Sequence, residues 1–196
     1  MEEKTFVDDI NRSVYDIKNE ENDSYRIKQG LTPEIVEKIS EEKHDPAWMR
    51  EFRLKSLEIY NNMQVPDWGP SIDGLNMDNI ATYVRANTNM KSDWKDVPEE
   101  IKDTFDRLGI PKAERESLAG VGAQYDSELV YHNVRKEVAD QGVVYTDMES
   151  ALTGEYADMV HEHFMKLITP QDHKFAALHG AVWSLSLIHI SEPTRP

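Results

Sequence analysis

Residues 109–134 read GIPKAERESLAGVGAQYDSELVYHNV, and the change of character within this stretch sets the fold class. Ile110-Pro111 marks a helix entry, because a proline at the first helical position lacks only an N–H that would be unpaired there anyway. Residues 112–118 supply good helix formers. Ala119-Gly120-Val121-Gly122 is expected to end that helix, since glycine takes the positive φ of a helix exit without strain. Leu129-Val130-Tyr131 then forms a β-favouring run. Periodicity alone leaves that run open between a strand and a buried helix.

Upstream, the helical signals are stronger. Thr32 is a good N-cap and Pro33 follows it at the first helical position, with Leu31, Ile35, Val36 and Ile39 forming one apolar stripe. That helix should stop near Glu42. Asp45-Pro46 repeats the start signal, and a longer helix should run to about Met63 with Trp48, Met49, Phe52, Ile59, Tyr60 and Met63 on one face. The two elements together predict an αα-hairpin with Phe52 buried and Arg53 exposed. Residues 65–79 hold Pro66, Trp68-Gly69-Pro70 and Asp73-Gly74, a turn-rich connector in which Trp68 is expected to tuck over the hairpin. A short extended piece at 80–84 and a helix after Pro98, with Ile101, Phe105 and Leu108 facing one way, complete this half.

Downstream, 134–141 reads as helical and Gly142-Val143-Val144-Tyr145 as a second short strand. Asp147 is placed to cap a brief helix through Leu152. Residues 154–168 are amphipathic, with Tyr156, Met159, Val160, Phe164 and Leu167 on one face, and 175–182 is a last apolar helix. The fold class is therefore α+β and mainly α-helical.

Composition narrows the function. The 196 residues carry a net charge of −15 and no cysteine. A nucleic-acid surface needs clustered Lys and Arg, and an anionic membrane face needs the same, so both are excluded as partners. Without cysteine the chain has no disulfide, no thiolate metal ligand and no cysteine nucleophile. The acidic start MEEKTFVDDINRSVYD lacks the basic and apolar regions of a signal peptide, and no apolar run is long enough to span a membrane. A cytoplasmic location is expected.

Few constellations carry chemistry. His161 and His163 sit two apart, about 200° around a helix, so they cannot chelate together as an i, i+4 pair would; His173 and His179 follow without a supporting carboxylate. Gly120-Val121-Gly122 lacks the third glycine of a dinucleotide fingerprint. Asp126-Ser127-Glu128 near Tyr131 and His132 has no oxyanion donor to make a triad. No catalytic, cofactor-binding or metal residue is assigned. The competing functional class is a stand-alone, metal-dependent hydrolase using His132 or the His161 region.

Five phrases carry a resemblance: GLTPEIVEKISEEKHDPAWMREFRLKSLEIY (30–60), GIPKAERESLAGVGAQYDSE, VYHNV, QGVVYTDMESAL and HKFAALHGAVWS (173–184). Together they resemble the N-terminal region of the SufB family, the scaffold subunits of the Suf iron–sulfur cluster assembly system. The resemblance implies a non-enzymatic scaffold in a SufB–SufC–SufD complex, with a SufC-type ATPase, a SufD-type subunit and a cysteine desulfurase system as partners. It also implies a helical region leading into a β-helix, and an iron–sulfur cluster for the full-length family but none held by this chain.

Three segments follow from this reading: an acidic, loosely ordered arm over 1–29, the SufB-like region over 30–184, and a tail over 185–196. The tail, LSLIHISEPTRP, departs from the family's Ser-Gly-Gly-Ser and aromatic, β-rich continuation. LSLIHISEPTR back-translates into the transposase adapter of sequencing-library preparation, so the tail is expected to be non-native. With the β-helix missing, 175–196 is expected to stay loose and the chain to self-associate through uncovered apolar faces.

Overall fold

The computed structural model describes residues 23–69, 71–87, 93–107, 109, 111, 120–125, 127–134 and 136–190. Its centre is a helical hairpin of α1 (Pro33–Glu42) and α2 (Ala47–Asn62). Thr32 caps α1, its hydroxyl accepting the Ile35 N–H at 3.4 Å. The reversal between the helices uses His44 at φ 53, while the Asp45 N–H reaches back to the Ser40 carbonyl at 3.0 Å. That bond satisfies a helix-end carbonyl which would otherwise lack a partner.

The buried face of α2 is Met49, Arg53, Ser56 and Leu57. This corrects the expected face: Arg53 is fully buried, and Phe52 is only half-buried beside it. An apolar-only reading rotated the face because it could not count a charged residue as core. Trp68 is corrected too, at 80% exposure rather than tucked over the hairpin.

Among the described residues, five more helices follow: α3 (Glu99–Arg107), α4 (Lys136–Ala139), α5 (Met148–Thr153), α6 (Ala157–His163) and α7 (Lys174–Val182). The amphipathic stretch 154–168 does not continue to Thr169. Phe164 leaves helical geometry at ψ 120 and Met165 takes φ 48, leaving Leu167 almost wholly exposed. Phe164 instead packs against Phe52 and Trp183, ring centroids 5.3 Å from each. Tertiary burial of one aromatic ring outweighs continuing the helix.

The expectation that 175–196 is loose is overturned over 175–190. Helix α7 lies directly on α2, with Ala177 and Ala181 completely buried. Small residues let the two helices approach closely: a Cβ on Gly180 would meet the Ser56 Oγ at 2.6 Å. Trp183, just after α7, joins Met49, Met148, Ala151, Leu152 and Val160 in one core cluster.

Among the described residues, six short strands pair antiparallel in three two-stranded sheets. β1 (Asp23–Arg26) pairs with β2 (Val84–Ala86), and Ile27 is buried in the core. Within the arm expected over 1–29, residues 23–26 thus contribute a paired strand, because main-chain pairing needs no apolar composition; 1–22 lie outside the described residues. β3 (Gly120–Tyr125) pairs with β4 (Glu128–Val134) from Gly120↔Val134 to Tyr125↔Glu128. Gly120-Val121-Gly122 is therefore strand, not a helix exit, and the helix expected over 112–118 lies outside the described residues. Cross-strand pairing overrides a local glycine preference. Tyr131 of β4 meets Trp94, Val97 and Ile101 in a second cluster, which ties the hairpin to α3. β5 (Val144–Asp147) pairs with β6 (Leu187–Ile190), which belongs to the tail.

Candidate functional site

Just past the last turn of α1, Lys43 turns inward and only 4% of it is exposed. Its Nζ lies 3.1 Å from the Glu128 Oε2 and 2.7 Å from the Glu149 Oε2. Glu128 opens β4 and Glu149 sits in the first turn of α5, where the positive helix end favours a carboxylate. Tyr83, fully buried, donates its phenol O–H to the Glu128 Oε1. Arg85 of β2 closes the set, its Nη2 2.7 Å from the Glu42 Oε2 and 3.2 Å from the Glu42 carbonyl. Lys43, Arg85, Glu128 and Glu149 line a cavity of about 410 Å3 whose rim includes Asp147 and Ser184.

The electrostatics fix the charge states of Tyr83 and Arg85. Burial and the neighbouring Glu128 push the Tyr83 phenol well above its usual range. Burial works against the charge of Arg85, but Tyr83, Glu42 and Glu128 outweigh it, and its pKa is raised. Tyrosine stays neutral and arginine charged across the ordinary pH range. Lys43 and Arg85 are each matched by carboxylates, so the arrangement acts as an electrostatic joint. It holds the end of α1, β2, β4 and α5 together.

Ser127, considered above as part of a triad, does other work. Its Oγ accepts the Val84 N–H at 3.0 Å and its own N–H donates to the Val84 carbonyl at 3.1 Å, fastening the β3–β4 turn to β2. Asp126 and the side chain of His132 lie outside the described residues. Asp147 caps α5 as expected, accepting the Ser150 N–H at 2.8 Å.

The histidines are dispersed. His161 packs against Trp48 with its ring tilted, 4.4 Å between centroids, and the His173 Nδ1 accepts the Phe175 N–H at 3.0 Å as the cap of α7. His179 lies late in α7, where burial and the Arg53 charge lower its pKa. Among the described residues, no group of three or more His, Asp or Glu is placed to hold a metal ion.

The second charged centre was missed in the sequence. Arg53 forms an ion pair with Asp45, Nε to Oδ2 at 2.6 Å, and donates to the Trp183 carbonyl at 2.7 Å. Its guanidinium also lies over the Trp183 ring, 4.5 Å from the centroid. Nothing in the local pattern around Lys43 or Arg53 distinguishes them from surface cations. Their partners lie up to 130 residues away.

No helix among the described residues is long and apolar enough to cross a membrane. No profile of a known protein family matches the chain. Compared with individual proteins, it is 50% identical over 176 residues to the iron–sulfur cluster assembly protein SufB of Bacillus subtilis. It is 45% identical to an iron–sulfur cluster assembly SufBD family protein of Staphylococcus haemolyticus, and 44% to one of Staphylococcus aureus. Each match takes in 90% of this chain but only 38% of the relative. By these matches the chain belongs to the SufBD family of iron–sulfur cluster assembly proteins.

Proposed function

We propose that this chain is the helical N-terminal part of a SufB-type scaffold, acting in the cytoplasm with a SufC-type ATPase and a SufD-type subunit. A cysteine desulfurase system would supply the sulfur. The chain is not an enzyme, and by itself it does not build clusters. The observation that carries this reading is the 50% identity to a SufB protein over 90% of the chain. The paired charges around Lys43 and Arg53 support it, since they spend their donors and acceptors on joining elements rather than on a substrate. Residues 185–196 are read as non-native and take no part in this role.

The test is reconstitution of cluster transfer to an apo-ferredoxin with SufC- and SufD-type proteins, desulfurase, iron and cysteine. The present chain should give no transfer above the blank. The same chain continued past Ser184 to the relatives' length should give transfer. Transfer by the present chain at the rate of the longer one would overturn the proposal.

A further inference from the structure

Strand β5 has β6 as its partner in a two-stranded sheet, in the register Val144↔Ile190, Tyr145↔His189, Thr146↔Ile188 and Asp147↔Leu187. The pairing runs one residue further, with the Met148 N–H donating to the Ser186 carbonyl at 2.9 Å. β6 nevertheless comes from the stretch whose sequence breaks with everything before it. Main-chain pairing carries no sequence information, and specificity in strand addition comes from pockets for alternate side chains. Here Ile188 packs against the cluster of Met148, Leu152, Val160 and Trp183. It also lines a mostly apolar hollow of about 430 Å3, shared with Met148, Met159, Val160, Phe164, Met165 and one polar group, His163. The hollow has room for a side chain larger than isoleucine.

We propose that β5 and this hollow form a strand-accepting groove. It takes the polypeptide following Ser184 by main-chain pairing and one apolar anchor at position 188, with little regard for the rest of that sequence. The groove explains how a segment read as foreign can be seated in order. The inference rests on that reading of 185–196 and is independent of the cluster-assembly role.

Amide hydrogen exchange on the full chain tests it. Leu187→Thr with His189→Thr, and separately Ile188→Phe, should keep protection over 144–147 within about threefold of the unmodified chain. Ile188→Asp should lose at least about tenfold there while α2 stays protected. Should α2 also lose protection, the milder Ile188→Ser takes its place as the anchor variant. The anchor variant, its own strand released, should then bind an added peptide SLSLIHIS saturably, whereas the unmodified chain should not. Loss of protection in the double-threonine variant as deep as in the anchor variant would overturn the proposal. So would retained protection in the anchor variant, or its failure to bind the peptide.

Discussion

Arg53 and Asp45 form an ion pair at 2.6 Å with neither side chain exposed to solvent. The pair spans the start of α2 and, through the Trp183 carbonyl, holds the end of α7 in place. A charge removed from water at that cost is tolerated only when it is fully paired. Replacing Arg53 by alanine strands the Asp45 carboxylate and frees the carbonyls of Ala181 and Trp183. The expected loss is ~3–5 kcal/mol, read from urea denaturation midpoints. Phe52→Ala, on a half-buried ring, should cost less than the ~3–5 kcal/mol of a fully enclosed phenylalanine. A midpoint for Arg53→Ala equal to that of the unmodified chain would mean the pair contributes nothing.

Gly180 marks the closest approach of α7 to α2. An added Cβ would lie 2.6 Å from the Ser56 Oγ and 3.3 Å from the Phe52 ring. Gly180→Ala should therefore destabilise by ~1–3 kcal/mol despite alanine's better helix propensity. Gly69, with open space around its Cβ position, should accept alanine within about ±0.5 kcal/mol. Adding Ser56→Ala to the Gly180 variant should recover part of the loss, which thermal denaturation of the four chains would show as non-additivity.

Lys43 lies between Glu128 and Glu149, so Lys43→Met leaves two carboxylates facing each other without their cation. The cost should fall toward the lower end of ~3–5 kcal/mol, because Glu149 remains 39% exposed. Adding Glu149→Gln should restore part of it. Denaturation of the single and double variants at low and high salt checks this: the deficit of Lys43→Met should shrink as salt screens the repulsion.

His179 sets a pH dependence whose sign is fixed by its lowered pKa. Burial and the Arg53 charge favour the neutral ring in the folded chain, so the unfolded chain binds the proton more readily. This contribution is fully present above the unfolded value of about 6.5 and is lost as pH falls from there through the folded pKa. Melting temperatures from pH 7.5 to 5 should decline less steeply for His179→Gln than for the unmodified chain. Parallel curves would refute the assignment.

Local chemistry made much of this protein legible in its sequence. Thr32-Pro33 and the Asp147 cap each announce a helix end through groups within a few residues, so α1 and α5 could be placed directly. Asp45-Pro46 located the start of α2, but there Pro46 itself stands at the cap position and the Asp45 carboxylate pairs with Arg53 instead of capping. The family, too, was legible in contiguous phrases. Tertiary structure alone decided which face of α2 is buried, because Arg53 becomes a core residue only when Asp45 and the end of α7 surround it. It likewise made a strand of Gly120–Tyr125, and turned Lys43 inward to carboxylates that lie far along the chain. A cap acts over one helical turn, and its signal is written beside it. A buried charge is stabilised by distant partners, and a strand by a neighbour, and neither leaves a local mark that a single stretch of sequence can show.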